Sequence, residues 1–256
     1  MIPARQIKFI RSLQQKKFRD SHGLFVAEGE KTIAELAGSP LHAEMICALP
    51  AWVERNKAKI QPHTEIITVS PGELKRISGL KSPNQALAVI RKPSVRLPQH
   101  LEPQELIPVL DKIQDPGNLG TIIRTADWFG IRHIICSPCT ADVFNPKVIQ
   151  ATMGSFMRVN VHYTTLSELP DKLWSGLSVY GAFAGGENVF TAEIKTPAIL
   201  VIGNESQGIS EDVKQWIDHP LGIPRGHKHS EDIHAESLNA AVAAGIIMAQ
   251  FREKGL

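Results

Sequence analysis

The sequence predicts an α/β protein: a mostly parallel sheet with helices on both faces, preceded by a smaller α/β domain. Three observations carry this. From residue 105 onward, short apolar runs alternate with helical patterns, as in a parallel sheet wrapped by helices. Runs such as Leu106–Leu110 and Ala198–Ile202 are too short for typical helices and long enough for buried strands. Pro93, Pro98 and Pro103 fall close together with Ser94, Arg96, Gln99 and His100 between them, which suits neither a helix nor a central strand. Residues 93–104 therefore read as a linker between one domain over 1–92 and another over 105–256.

The elements follow in order. Residues 1–19 hold six basic residues, Arg5, Lys8, Arg11, Lys16, Lys17 and Arg19, and no acidic one. A helix with Ile7, Ile10 and Leu13 inward would leave these charges in water. A basic face of this kind also fits phosphates. Glu28 to Leu36 reads as a turn into a helix, and Glu44–Ala48, Ile66–Val69 and Ala86–Ile90 read as strands. In the second domain the expected strands are Leu106–Leu110, His133–Cys136, Val159–Tyr163, Val179–Phe183, Ala198–Ile202 and Leu221–Ile223. Helices are expected over 118–129, 145–152, 167–175, 210–217 and 237–252. The last is apolar on nearly every face from Ala240 to Ala249, the mark of a helix buried in a core or an interface.

Composition narrows the class. With 256 residues, 43% hydrophobic, 21% charged and a net charge of +2, the chain reads as an ordinary globular protein rather than a polycation. No run is long enough to span a membrane, and Met1–Arg5 lacks the apolar core of a secretory signal. Three cysteines make no disulfide framework. Cys136 and Cys139 have CxxC spacing, but a structural zinc site needs two further ligands. The expectation is a cytoplasmic protein without a bound metal.

Three polar stretches follow apolar runs. The run 198–202 ends in Gly203-Asn204-Glu205-Ser206-Gln207-Gly208. Leu106–Leu110 leads into Asp111 and then Asp115-Pro116-Gly117-Asn118-Leu119-Gly120, a proline–glycine turn with Asn118 placed to cap a helix that carries Arg124. Leu221-Gly222-Ile223-Pro224 is followed by Glu236-Ser237-Leu238-Asn239, where Ser237 suits a helix start. Ligands bind outside the carboxyl ends of strands in open α/β sheets. The first strand lacks the G-x-G-x-x-G turn of a dinucleotide site, and no Walker A sequence is present. That argues against a nucleotide-dependent oxidoreductase and moves any cofactor toward the late strands.

These three blocks, in this order, resemble the three motifs of the TrmH/SpoU family of RNA ribose methyltransferases within the SPOUT superfamily. The similarity covers about 106–250 and includes Asn145–Ser155. Residues 1–92 are more weakly similar to the family's small RNA-binding domain, through Phe25–Gly29 and Leu87–Ile90. The resemblance implies a C-terminal trefoil knot, S-adenosylmethionine as cofactor, a homodimer, and 2′-O-ribose methylation of structured RNA. Ribosomal and transfer RNA both remain open, and DNA is not expected. It implies cofactor contacts at Ile202, Gly203, Asn204, Ile223 and Leu238, and catalytic positions at Asn118, Arg124, Glu205, Ser237 and Asn239. RNA contacts would fall on the six basic residues of the N-terminus.

Each residue also has a plainer reading. Asn118, Ser237 and Asn239 suit helix caps, Glu205 suits backbone donors at a helix start, and Arg124 suits an exposed surface. Capping does not explain why three motifs occur in order. A non-catalytic RNA-binding protein on the same fold is the remaining alternative. The stretch 225–235, with His227, His229 and His234, is longer than the family pattern and reads as a polar loop rather than metal ligands.

Overall fold

The computed structural model describes residues 2–98, 101–169, 176–226 and 236–255. It contains two compact units: Met1–Ser94 with Asp142–Met157, and Val95–Ala141 with Arg158–Leu256.

The first unit is a four-stranded sheet of β1 (Leu24–Glu28), β2 (Ala43–Ala48), β3 (Glu65–Thr68) and β4 (Ala86–Arg91), in the order β1-β4-β2-β3. Alternation along the strands gives each face its own core. Phe25, Ile46 and Ala88 face one side with Ile33 of α3 (Glu30–Leu36) and Trp52 of α4 (Pro50–Asn56). Val26, Cys47 and Val89 face the other side. There they meet Ile7 and Ile10 of α1 (Ala4–Ser12) and Leu74 and Ile77 of α5 (Pro71–Ile77). Period two in the strands dictates this two-sided burial.

Residues 142–157 lie with this first unit, whereas sequence order grouped them with 105–256. Helix α7 (Pro146–Ala151) contributes Ile149 to the first core, and Phe156 and Met157 join it. Asp142 forms the anchor. Its Oδ2 accepts hydrogen bonds from Nη2 of Arg19 at 2.7 Å and from Nε at 3.2 Å.

The second unit is a six-stranded, wholly parallel sheet. Its strands are β5 (Leu106–Leu110), β6 (His133–Cys136), β7 (Asn160–Tyr163), β8 (Ser178–Asn188), β9 (Ala198–Ile202) and β10 (His219–Gly222), in the order β10-β8-β9-β5-β6-β7. Ile107, Ile199 and Val201 face Val213 of α8 (Glu211–Lys214). On the other face Tyr180 meets Phe251 of α9 (Ala240–Lys254) edge to face. Helices thus cover both faces. The expected segment 210–217 shortens to α8. Of 167–175, a 3-10 turn over Leu166–Glu168 is seen, and 170–175 lie outside the described residues.

Strand β8 runs five residues beyond the expected Val179–Phe183. It pairs with β10 at its start, Tyr180 opposite His219, and again at its end, Asn188 opposite Gly222. Residues 182–186 arch between these pairings. The arch demands glycine at 186, since a Cβ there would lie 2.5 Å from the carbonyl carbon of Leu221.

Candidate active site

The loops after β5, β9 and β10 all leave the carboxyl edge of the parallel sheet. The loop after β9 is built around Gly203. A Cβ there would sit 2.4 Å from the backbone of Gly208 and Ile209, so the hairpin closes only on glycine. Backbone bonds between Asn204 and Gly208 lock it, at 2.9 Å and 3.1 Å. The Asn204 side chain is engaged in holding the loop. Its Oδ1 accepts from the N–H groups of Ser206 and Gln207, and its Nδ2 donates to the Lys112 carbonyl at 3.0 Å. The far end is held by Asp111, 2% exposed, whose Oδ2 accepts from Ser210 N–H at 2.8 Å. Asp111 had no role in the reading of the sequence. The available signal was a carboxylate at the end of a fully buried strand.

Helix α6 (Pro116–Trp128) begins one residue after Asp115, which caps it by accepting from Asn118 N–H at 2.8 Å. The expected cap, Asn118, is inside the first turn with its side chain free for other partners. Its Nδ2 donates to Oε1 of Glu205, and its Oδ1 accepts from Nδ2 of Asn239 at 2.8 Å. Asn239 in turn caps α9, accepting from Ala241 and Val242 N–H at 3.0 Å and 3.3 Å. The amide orientations are fixed from both ends. A carboxylate can only accept, so Asn118 must turn its nitrogen to Glu205. The helix N–H groups can only donate, so Asn239 must turn its nitrogen to Asn118. Helix α9 starts at Ala240 rather than 237, and Asn239 rather than Ser237 is its cap.

Beside this chain of polar groups lies a cavity of about 630 Å³, a volume suited to a small ligand or cofactor. Ile202, Gly203, Asn204, Glu205, Ile223, Ser237 and Leu238 line it, together with Ala182–Ala184 from the arch of β8. All five expected cofactor positions are therefore on one wall system, and Glu205 belongs to both the cavity and the polar chain. Arg124 stands apart. Six residues along the helix place it roughly 120° around the axis from Asn118. It is exposed, and among the described residues it has no hydrogen-bond or ion-pair partner. His227, His229 and His234 lie outside the described residues.

Of the expected RNA-contacting residues, Arg5, Lys8, Arg11, Lys16 and Lys17 are exposed. Arg19 corrects the expectation. It is 2% exposed, and beyond Asp142 its Nη1 donates to the carbonyls of Leu13 and Gln14 at 3.0 Å and 2.8 Å. With its donors committed inside the protein, it offers nothing to a phosphate. Cys136 is buried, which pushes its thiol upward, so it is packed rather than reactive.

The chain is similar to known proteins over both of its units. Residues 105–249 match the SpoU rRNA Methylase family, and residues 4–88 match the MRM3-like substrate binding domain. A Bacillus subtilis relative, the 23S rRNA (guanosine(2553)-2′-O)-methyltransferase RlmP, is 30% identical, covering 96% of each chain. A TrmH-family structure from Porphyromonas gingivalis superposes with a TM-score of 0.87 at 36% identity, covering 100% of both chains. An rRNA methyltransferase from Sinorhizobium meliloti, solved with AdoMet bound, gives 0.86 at 28% identity, covering 99% of this chain and 96% of the other. The chain belongs to the TrmH/SpoU family of RNA methyltransferases.

Proposed function

We propose that this protein methylates a ribose 2′-oxygen of structured RNA, with S-adenosylmethionine as methyl donor. The observation that carries the reading is the Glu205–Asn118–Asn239 chain beside the cavity. It joins the loop of β9, the first turn of α6 and the cap of α9 into one preorganised polar edge.

The residues present fit the cofactor. Ile202, Ile223 and Leu238 offer apolar walls for a flat heterocycle, and Gly203 brings backbone rather than side chain to the surface. Bound there, S-adenosylmethionine supplies a methyl group on a sulfonium. Asn118 and Glu205 hold the edge of the site rigid, so the reacting hydroxyl meets fixed dipoles. Arg124 binds the phosphate beside the target ribose through its planar fork and orients the 2′-hydroxyl. Its role is orientation rather than proton removal.

Finer features belong to the same reading. The MRM3-like match supports a substrate-binding role for residues 1–92. Large-subunit ribosomal RNA is the first substrate class to test, because the Bacillus subtilis relative is named for it. A homodimer through α6 and α9 would cover Trp128, 84% exposed, and Val242, 51% exposed. The two helices already approach closely, since a Cβ on Gly245 would lie 3.7 Å from Thr125. The trefoil knot rests on family resemblance, and a cytoplasmic setting follows from the RNA substrate.

The test is methyl transfer from labelled S-adenosylmethionine to total RNA lacking this modification, with wild type and Arg124→Ala. Label at a single ribose with wild type, lost in the variant, is the expected result. Cofactor binding without label in any RNA class, or label on a base, would overturn the assignment.

A further inference from the structure

The first unit distributes its cations unevenly between the two faces of its sheet. On the face covered by α3 and α4, Arg55 pairs with Glu30 at 2.8 Å and Lys57 with Glu54 at 2.9 Å, leaving Lys31 of α3 and Lys59 after α4 without an ion pair among the described residues. The other face is covered by α1 and α5, which pack on one core through Ile7, Ile10, Leu74 and Ile77. Their ends are tied together as well. Ile2 N–H donates to Oε1 of Glu73 at 2.9 Å, and a Cβ on Gly79 would lie 3.0 Å from Nε2 of Gln14. The turn after α5 therefore abuts the corner between α1 and α2 (Lys16–His22).

This packing unites two separate basic stretches. Arg5, Lys8 and Arg11 of α1, with Lys16 and Lys17 of α2, are exposed and have no ion-pair partner among the described residues. The same holds for Lys75 and Arg76 of α5 and for Lys81 in the following turn. Nearby carboxylates are turned to internal partners. Glu73 closes the capping box of α5, Glu28 accepts from Gly79 N–H at 2.8 Å, and Asp20 pairs with Lys92 at 2.6 Å. Uncompensated cations on one rigid face select a polyanion. The large hydrophobic residues exposed among the described part of this unit are Ile66 and Met153, neither of them aromatic. Base-reading RNA surfaces stack unpaired bases on aromatic rings; here Phe9 and Phe18 are half-buried and Phe9 packs edge to face against His22, so no phenyl or indole face is fully exposed.

We infer that the α1–α5 face is a single phosphate track that grips the sugar–phosphate backbone of RNA, extends onto Lys75, Arg76 and Lys81, and does not read bases. The inference rests on the proposed action on RNA. It moves base selection away from this face of the first unit.

The test uses the full chain and two RNA duplexes of equal length and unrelated sequence, titrated over a range of salt. The triple variant Lys75→Ala/Arg76→Ala/Lys81→Ala is compared with wild type and with Lys57→Ala/Lys59→Ala, which alters the opposite side of the sheet. For the triple variant, the slope of log affinity against log salt should fall by about two, at roughly 0.7–0.9 per phosphate contact. Affinity should drop about tenfold or more, equally for both duplexes, with cofactor affinity and Tm unchanged. The opposite-face variant should keep the wild-type slope. An unchanged slope in the triple variant, or a loss confined to one duplex, would overturn the track. Methyl transfer by wild type is scored separately. Its absence alongside the expected slopes would defeat the enzyme assignment and leave the track standing.

Discussion

The two sheets use their surroundings differently. In the six-stranded parallel sheet, the candidate site gathers at the carboxyl edge, where three loops meet and are braced by buried groups such as Asp111. In the four-stranded sheet, the proposed RNA surface lies on helices covering a face, far simpler in its demands. A site that must place a hydroxyl against a methyl group needs fixed loops and one permitted residue at each close approach. A surface that attracts phosphates needs only charge left unpaired. Substitutions should therefore be abrupt in the first setting and graded in the second.

The largest effect on the cofactor site is expected from Gly203→Ala. The added Cβ meets backbone on both Gly208 and Ile209, which cannot rotate away. Cofactor affinity measured by calorimetry should fall by at least about 100-fold, at a cost of roughly 3 kcal/mol, the upper end for overpacking. Arg19→Ala should show the reverse pattern. It strands Asp142 in a nearly buried position and should cost about 3–5 kcal/mol in thermal or denaturant unfolding. Below the unfolding transition its cofactor affinity should match wild type; equal loss of both would erase the contrast between the units. Asn118→Ala comes next. It leaves the Glu205 carboxylate and the Asn239 amide without their partner, and kcat should fall about 100-fold, the scale for one preorganised donor. Retention of kcat would show the polar chain to be scaffolding.

A smaller effect concerns acid. His133 and His162 stack across β6 and β7, with Nδ1 and Nε2 3.0 Å apart. Burial, and then the neighbouring His133, pushes His162 down to about 4, and burial lowers His133. A depressed histidine means the unfolded chain binds more protons than the folded one below the ordinary value near 6.5. Stability from this pair is therefore complete above about 6.5 and is lost as pH falls toward 4. On the order of 2 kcal/mol should disappear over that window, discounted for partial solvent access. His162→Gln should flatten the curve of Tm against pH between those limits. An unchanged curve would exclude the pair as its cause.

What was legible in the sequence follows from the range of each interaction. Leu106–Leu110 and Ala198–Ile202 announced themselves because strands buried on both faces must be apolar throughout. Gly203 was legible as punctuation in a motif. The polar chain was not, because Asn118 and Glu205 lie 87 positions apart and a cap was the nearer explanation. Arg19 could not be told from Lys17 by composition. Its partner Asp142 sits 123 positions away, in a segment that sequence order assigned to the other unit. The tail of β8 was hidden by Ala184, Gly185 and Gly186, poor strand formers, of which Gly186 is required by the close passage of β10.

Asn239 both starts the last helix and closes the polar chain through Asn118. A ribosome delivers Asn118 first, Glu205 later and Asn239 last of the three. Until that final member emerges, the nascent chain can form the strands that wall the cavity but cannot complete its polar edge. Synthesis order thus makes the polar edge of the cavity the last part of the candidate site to close.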